Sequence, residues 1–417
     1  MNGLNVQFRN ASLIKTCYKH IKVIERYADS LNFKDYDPYA RYNKVIEVAL
    51  RKRIPPTLLL RIFLIFDRIL PWRIRHHFSI NEKIFHPKSA ILFSLGYLNL
   101  EDIDKARYHL RLLQDSEFFV LRENYAFVGA PFKHYYSLKP PLFYEKGSPN
   151  TLLTALAGKA FLRLFEEFQK KEDLRMAELL GNFFTIKDTY VASYNEICWK
   201  YFIGSNSLLI HNANTAAASF LLLLSKYNQL QNSKQYLMLA KKALNHTIKQ
   251  QLPNGSVPYF SKLDPTYGGI NFVDNFHNGF VILDLIDCYL SDPVGQKNLK
   301  YSILRALDFQ LTMFNKDFSP RRSVSMPFPQ DIHDISVGIL VFTRASYIWS
   351  SLLVVAEGIL SYALRNFTDD DGLFIHQIFL KGLKDRATYL RWNQAWMFLA
   401  LTEFLKKCAC KYSSRIT

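Results

Sequence analysis

The chain of 417 residues has few cysteines, no long hydrophobic run and fewer acidic than basic residues. Its five cysteines are scattered and lack CxxC spacing, which indicates reduced thiols rather than a disulfide framework or a zinc site. The N-terminal residues lack an apolar stretch followed by a small-residue cleavage site. No uninterrupted apolar span of about 20 residues is present, as a transmembrane helix requires. We therefore expect a cytoplasmic protein, and leave peripheral attachment to the inner membrane open.

The deficit of acidic residues leaves a formal net charge of +17 and a pI near 9.5. Such a charge favours an anionic partner, which could be nucleic acid, a membrane surface or an acidic glycan. The sequence contains no paired Cys/His zinc spacing, no aromatic RNA-binding strand motif and no basic heptad region. We therefore expect no nucleic-acid partner.

One segment combines apolar and basic residues. Residues 55–77, with the sequence PPTLLLRIFLIFDRILPWRIRHH, mix leucine, isoleucine and phenylalanine with one aspartate and several arginines. The charges oppose crossing of a bilayer, but a basic amphipathic helix can lie on an anionic membrane surface. The sequence favours packing of this helix against the main domain over binding to a membrane.

Six segments share one pattern, in which a polar or proline-containing start leads into an apolar helix rich in small residues. They recur about every 60 residues, a spacing that holds two helices of ordinary length. The second helix of most units is amphipathic. Helices that are apolar all round must be buried, whereas amphipathic helices face water on one side. We predict an all-α (α/α)6 toroid over residues 81–417, with an N-terminal helical extension over residues 1–80. An open α-solenoid is the alternative.

In such a toroid the inner helices are parallel, so their N-termini meet at one end. Unpaired backbone N–H groups and positive helix ends favour a ligand with negative charge or many oxygens there. Residues just before each inner helix, and the connectors that lead into them, are therefore the candidate site.

Four motifs carry a resemblance to a known family: PNGSVPYF (253–260), DNFHNGF (274–280), DIH (331–333) and YLRWNQAWMFLAL (389–401). They resemble bacterial polysaccharide-biosynthesis proteins encoded among capsule and O-antigen genes, over roughly residues 85–405. That resemblance implies a six-hairpin glycosidase-like toroid acting in glycan assembly. The last motif is also similar to the barrel of glucuronyl C5-epimerases. Val257, Asn278 and Asn393 depart from the family pattern.

Candidate catalytic residues are acids, imidazoles and phenols at the predicted mouth. The pairs formed by Asp274 with His277 and by Asp331 with His333 repeat one arrangement in consecutive hairpins, although helix capping alone would also explain the two aspartates. We predict as catalytic the residues His277, His333, Tyr259, Tyr389, Glu196, Asp274 and Asp331. A third histidine, His211, raises the question of a metal, but the three lack ligand spacing, so we expect no metal and no cofactor.

Candidate substrate-binding residues are aromatic, amide and guanidinium side chains. Aromatic faces stack on sugar rings, and the guanidinium of Arg391 matches the carboxylate of a uronic acid. Capping and core packing are the structural alternatives for most of these residues. We predict as substrate-binding the residues Arg391, Asn275, Asn278, His211, Asn212, Tyr194, Trp199 and Trp392.

Three functions remain open, and all have a glycan as partner. The first is an enzyme acting on an acidic glycan, as a uronate C5-epimerase or a lyase, which needs a base for the C5 proton and positive groups for the carboxylate. The second is a glycoside hydrolase with paired carboxylates. The third is a non-catalytic glycan-binding or membrane-assembly protein. We rank the first ahead of the other two.

Overall fold

A computed structural model describes residues 2–69, 82–138, 141–204, 207–292 and 297–413. Residues 70–77 of the basic segment predicted over 55–77 therefore lie outside the described residues. In the described part of the chain fourteen helices are present. They are α1 (Asn2–Ser30), α2 (Pro38–Arg51), α3 (Pro56–Ile69), α4 (Pro87–Asn99), α5 (Ile103–Gln114), α6 (Thr151–Phe168), α7 (Lys171–Phe183), α8 (His211–Leu224), α9 (Ser233–Lys249), α10 (Asn275–Ser291), α11 (Lys297–Thr312), α12 (Ile332–Ala345), α13 (Leu353–Asn366) and α14 (Ala395–Ser413).

Short antiparallel strands occupy the connectors that lead from an outer helix to the next inner helix. They are β1 (Lys34–Asp35), β2 (Ile84–Phe85), β3 (Phe119–Leu121), β4 (Ala126–Val128), β5 (His134–Leu138), β6 (Pro141–Tyr144), β7 (Tyr190–Ser193), β8 (Glu196–Trp199), β9 (Gln330–Asp331), β10 (Gln377–Ile378) and β11 (Lys384–Asp385). Strand β1 pairs with β2, β3 with β4, β5 with β6 and β7 with β8, while β10 lies between β9 and β11.

The inner ring consists of α4, α6, α8, α10, α12 and α14, and each of these helices is buried on almost all sides. Small residues let neighbouring inner helices approach closely. A Cβ atom added to Gly158 would lie 2.2 Å from the ring of Phe220, and one added to Gly279 would lie 2.5 Å from Val337. The outer helices bury only one face, which agrees with the predicted alternation of apolar and amphipathic helices.

The ring closes where the first inner helix, α4, packs against the last, α14. The rings of Phe93 and Phe398 stack with centroids 4.5 Å apart, and Asn99 donates a hydrogen bond of 3.0 Å to Glu403. Because first and last helices meet, the (α/α)6 toroid is confirmed, and the open solenoid is excluded.

The sixth outer position is filled from the other end of the chain, by α1. This helix packs against α14, and Glu25 accepts hydrogen bonds from Tyr97 at 2.7 Å and from Lys105 at 2.8 Å. His20 Nδ1 is bonded to the carbonyl of Gly372 at 2.8 Å. Helix α1 therefore belongs to the outer ring. Helices α2 and α3, which follow β1, are the part of the predicted N-terminal extension that is not an outer helix of the ring. In the described residues, no helix is long and apolar enough to cross a membrane.

Candidate active site

The N-termini of the inner helices surround a cavity of about 650 Å³. The first turns of α4, α6, α8, α10 and α12 contribute to its wall, together with the π-helical turn Leu390–Gln394 that precedes α14. Helix α2 and the hairpin β5–β6 close one side. The polar and aromatic residues of the wall include Tyr39, Tyr42, Asn43, His86, Lys88, His134, Tyr136, Asn150, Tyr201, Asn212, Tyr259, Phe276, His277, Arg322, His333, Gln377, Arg391 and Trp392.

At the start of α10, Asp274 and His277 form a hydrogen-bonded pair. Asp274 Oδ1 caps the helix by accepting the backbone N–H of His277 at 3.0 Å, and His277 Nδ1 lies 2.9 and 2.8 Å from the two carboxylate oxygens. Burial raises the pKa of Asp274, but His277 and Arg322 outweigh it, so the net pKa is lowered. The ionised carboxylate fixes the proton on Nδ1 and leaves Nε2 of His277 as the nitrogen available to a ligand.

The phenol of Tyr259 lies beside this imidazole, with ring centroids 4.2 Å apart. Burial and the neighbouring Tyr201 phenol raise the pKa of Tyr259 well above its usual range. The hydroxyl is therefore protonated near neutral pH, and it can donate a proton or a hydrogen bond next to His277.

At the start of α12, His333 has a different environment from His277. Asp331 accepts the backbone N–H of His333 at 2.8 Å but does not bind its ring, and the ring Nδ1 is buried without a hydrogen-bond partner. The imidazole packs against Trp392 at 4.2 Å and Phe276 at 4.7 Å between centroids. Burial, with Lys88 and Arg391 nearby, lowers the pKa of His333 well below its usual value. His333 is therefore a neutral imidazole that can accept or donate a hydrogen bond.

Three cations belong to the described wall: Lys88, Arg322 and Arg391. Arg391 Nε donates to Asp37, which also caps α2, while its Nη2 is buried without a partner. Arg322 lies 3.7 Å from Asp274. Its Nη1 lies 3.8 Å from Asp334 and has no hydrogen-bond partner.

Lys88 is half-buried at the first turn of α4. Its amine makes no ion pair with any carboxylate in the part of the chain that the structure describes. Burial, followed by the charge of Arg391, lowers the pKa of Lys88 to about 7. The amine can therefore hold or release a proton near neutral pH.

No carboxylate belongs to the wall, counting the residues that the structure describes. Asp331 lies behind it, where it accepts hydrogen bonds from Trp392 Nε1 at 3.0 Å and from Gln377 at 2.6 Å. Asp274 and Asp37 are also buried and support a histidine and an arginine. The wall is therefore cationic. The acids lie behind it and form hydrogen bonds with the residues that line it.

Unsatisfied polar atoms collect in this wall. Asn212 Oδ1, Arg322 Nη1, His333 Nδ1 and Arg391 Nη2 are buried and make no hydrogen bond. Leaving such an atom unpaired costs about 1–3 kcal/mol, so a fold built only for stability would avoid several in one place. A ligand with hydroxyl and carboxylate groups would satisfy both the donors and the acceptors.

Several predicted site residues lie outside the cavity. His211 is fully buried between helices, with Nδ1 at 3.0 Å from Thr247 Oγ1 and Nε2 at 3.0 Å from Gln250 Oε1. Burial lowers its pKa to about 3. Its position in the motif IHNAN resembles that of His277, but its ring is hydrogen-bonded to Thr247 and Gln250 and does not line the cavity, so its predicted contact with a substrate is not supported.

The connector that contains β7 and β8 also faces away from the cavity. Tyr194 is 92% exposed at its tip, and the buried Trp199 donates its indole N–H to the carbonyl of Phe184. Neither lies in the described wall, so their predicted contact with a sugar in this cavity is not supported. Tyr201, from the same connector, does line the wall.

Glu196 is bound on the outside of the ring, by Lys249 at 2.7 Å and by His246 Nδ1 at 2.9 Å. His246 Nε2 in turn lies 2.8 Å from Ser261 Oγ. This Ser–His–Glu geometry resembles that of a nucleophilic triad, but Ser261 and His246 are fully buried, so no substrate reaches the hydroxyl. Glu196 is therefore a structural partner of His246 and not a residue of the cavity.

The remaining predicted residues support the site from behind. Asn275 donates to the carbonyls of Met313 at 3.2 Å and Arg321 at 3.0 Å. Asn278 accepts the backbone N–H of Val257 at 2.9 Å. Tyr389 is buried and accepts a hydrogen bond of 3.0 Å from Arg41.

Some wall residues were missed by sequence reasoning. Lys88 and His86 stand at the start of the first inner helix, where the rule that residues before inner helices line the mouth should have placed them. Arg322 and Tyr39 come from segments without a motif, and no local signal marks them. Within the described residues, no group of three His, Cys, Asp or Glu side chains is placed to hold a metal ion.

Comparisons with known proteins agree with this architecture. No family model matches the chain, and no curated protein matches it. Solved structures match over most of its length. A GH76 α-mannanase from Bacteroides thetaiotaomicron is 11% identical, over 79% of this chain and 89% of that chain, with a TM-score of 0.57. A cellobiose 2-epimerase from Bacillus thermoamylovorans is 13% identical, over 76% and 86%, with a TM-score of 0.56.

A polysaccharide lyase is similar to the same extent, with 11% identity over 78% of this chain and 91% of that chain and a TM-score of 0.51. At these identities the likeness shows the fold alone, an (α/α)6 toroid. The chemistry has to be argued from the cavity, because this fold carries several reactions.

Proposed function

We propose that the protein binds an acidic glycan and removes the proton from the carbon next to a sugar carboxylate, as a uronate C5-epimerase or a lyase does. The observation that carries this proposal is the composition of the described cavity wall. It combines three cations with the Asp274–His277 pair and a protonated phenol, and it holds no carboxylate. Proton abstraction next to a carboxylate requires a base and positive charge in that combination.

In the proposed reaction, Lys88, Arg322 and Arg391 hold the sugar carboxylate. Their charges neutralise the negative charge that spreads onto it when the neighbouring C–H bond breaks. His277 Nε2 takes the proton, and the ionised Asp274 stabilises the imidazolium that results.

The electron pair of the broken C–H bond then has two fates. In epimerisation the carbon takes a proton from the opposite face, and the ammonium group of Lys88 is the donor that we assign. In elimination the pair forms a double bond and expels the glycosidic oxygen, which Tyr259 protonates from beside His277. Epimerisation and elimination use the same base and the same carboxylate site. They therefore differ only in their product, which has to be identified to distinguish them.

Two further observations support a glycan as the ligand. Proteins with the same fold include a cellobiose 2-epimerase, a polysaccharide lyase and a mannanase variant solved with α-1,6-mannotriose. The motif resemblance to capsule and O-antigen proteins supports a place in cytoplasmic polysaccharide assembly. A glycoside hydrolase is less well supported, because it needs two carboxylates across the scissile bond. Asp274 and Asp331 lie behind the wall, and Glu196 lies outside it.

The test is incubation of uronate-containing polymers with the protein in heavy water. An epimerase should place deuterium at C5 of an inverted sugar, whereas a lyase should produce an unsaturated, ultraviolet-absorbing end whose C5 carries no hydrogen. His277→Gln should abolish either product, because the amide has no basic nitrogen, whereas Glu196→Gln serves as control and should retain it. New reducing ends with neither C5 deuterium nor an unsaturated end would identify a hydrolase. Tight polymer binding without any product would identify the non-catalytic alternative, and either result would overturn the proposal.

A further inference from the structure

We propose that the α2–α3 hairpin, residues 38–69, docks on an anionic lipid bilayer and holds the cavity beside the membrane surface. The docking surface consists of four apolar and four basic side chains of residues 50–62 and stands apart from the proposed reaction. One consequence rests on the proposed function, namely that the acidic glycan is carried on a lipid anchor.

The apolar part of this surface is unusually exposed. Leu50 is 50% exposed, Ile54 39%, Leu58 53% and Ile62 44%. Four large aliphatic side chains thus meet solvent within thirteen residues. Scattered exposed leucines are ordinary, but a cluster rimmed by polar residues marks an interaction site.

Four basic residues alternate in the sequence with these apolar ones. Arg51, Lys52, Arg53 and Arg61 are all exposed, and none of them makes an ion pair with a described carboxylate. No acidic residue occurs between positions 48 and 66. A protein partner would normally be matched by charges of both signs, whereas cations of one sign beside aliphatic side chains match the phosphates and acyl chains of an anionic bilayer. We therefore assign the surface to lipid.

The geometry of α3 connects this surface to the cavity. Leu58 and Ile62 are four residues apart and share one face of the helix, while Leu60, two residues from each, points to the opposite face. Leu60 lines the cavity, together with Tyr42 and Ile46 of α2. The hairpin is therefore a wall with the cavity on one side and the docking surface on the other.

The hairpin is also fixed to the ring, so docking would orient the whole protein. Asp37 binds Arg391, and Arg41 donates to Tyr389 at 3.0 Å. Asn43 accepts the backbone N–H of Tyr135 at 3.0 Å. These bonds keep the docking surface at a set orientation to the cavity, and a glycan on a lipid anchor would reach the cavity along the wall.

The test is flotation of the full chain with two kinds of vesicle. We expect the protein to float with vesicles of phosphatidylcholine that contain about one third phosphatidylglycerol, and to remain unbound with phosphatidylcholine alone. Raising the salt concentration should weaken flotation, because the Debye length shortens. Equal binding to both vesicles, or none to either, would overturn the proposal.

Two variants separate the basic and apolar contributions. The triple variant R51Q/K52Q/R53Q should reduce the bound fraction at limiting lipid by at least about tenfold, since each basic residue adds to binding at an anionic surface. The double variant L58S/I62S should reduce it as well, because exposed side chains can be changed without unfolding the ring.

Matched controls change the same residue types elsewhere. K170Q/K171Q/K187Q removes three exposed lysines from another surface, and V354S/L380S removes two exposed apolar side chains. Both controls should float like the unchanged protein. Flotation that none of these variants alters would place lipid binding on another surface and overturn the proposal. Flotation with neither C5 exchange nor an unsaturated product would leave docking intact and reject only the proposed reaction, and the converse result would reject only docking.

Discussion

Both ends of the inner-helix ring contain charged side chains, but these side chains differ in whether they have partners of opposite charge. At the C-terminal end a second cavity of about 480 Å³ is lined by leucines and by buried charges that are paired. Lys159 lies 2.7 Å from Asp284, and Arg344 bridges Asp287 at 2.8 Å and Glu403 at 3.3 Å. At the N-terminal end, by contrast, Lys88 has no acidic partner within the described residues, and the other cations keep a donor unused.

The difference separates stabilising charges from functional ones. Removing a charge from water is costly, and a buried pair persists only when each partner is satisfied. Burial raises the pKa of Asp287, but Arg344 and Lys159 outweigh it and lower it overall, so this acid stays ionised in its network. The cations at the N-terminal end lower the stability of the free protein, because some of their donors have no partner there. A cluster of such cations therefore indicates the end of the ring that receives a ligand.

The largest effect on stability should come from breaking the paired end. Arg344→Met removes the ion pair that Glu403 makes within the described residues and leaves Asp287 with Lys159 as its remaining cation. We expect a loss of about 3–5 kcal/mol in the free energy of unfolding. Denaturant titration measures it. The matched control is Arg163→Met in the same cavity, because Arg163 makes its ion pair with the partly exposed Glu167 at 3.5 Å and acts on Glu403 only over a longer distance. A loss of equal size in both variants would contradict the comparison.

The corresponding change at the mouth should affect binding instead. Lys88→Met removes a cation that makes no ion pair with a described carboxylate and whose charged form is disfavoured by burial and by Arg391. We therefore expect unchanged or higher stability. Binding of an acidic glycan should weaken by about 1.5–3 kcal/mol, the usual contribution of a hydrogen bond to a charged group. Calorimetric titration with a uronate oligomer and denaturant titration together check both. A destabilised variant that binds normally would place Lys88 among the structural charges.

The same lysine predicts a pH dependence of stability. Its folded-state pKa of about 7 lies below the ordinary lysine pKa of 10.5, so between these values the unfolded chain holds a proton that the folded protein has released. Stability of the unchanged protein relative to Lys88→Met should therefore rise with pH from about 7 upward and stay constant below. Lys88→Arg should show no such slope against Lys88→Met, because arginine stays protonated. A flat difference for the lysine protein would refute the prediction.

The smallest effect on stability should follow a change at Glu196. This residue belongs to the connector that precedes α8, but it does not line the cavity. Glu196→Gln weakens a surface pair with Lys249, and such pairs contribute about 0–1 kcal/mol. We expect a loss of stability below that limit and unchanged glycan binding. A loss of binding would show that Glu196 contributes to the site. It would also contradict the assignment of paired charges to stability and unpaired charges to binding.

Sequence patterns predicted much of the fold and part of the site. The helix alternation, the ring and the caps Asp274 and Asp331 follow from local spacing of apolar and polar residues. The sixth outer helix was not predicted, because α1 reaches its partner α14 across the whole chain and no local pattern marks that contact. For the same reason His211 and His277 look alike in sequence, although only His277 reaches the cavity.

Composition alone gives the positive charge of the molecule, and local sequence patterns specify which segments become buried helices and which become amphipathic ones. The helix types depend on residues three or four positions apart, because the hydrophobic effect acts on the helix face that this spacing creates. Which polar groups have partners depends instead on the tertiary structure. Arg344 finds acids on other helices while Lys88 finds none, since a hydrogen bond or ion pair depends on ångström-scale distances between distant segments.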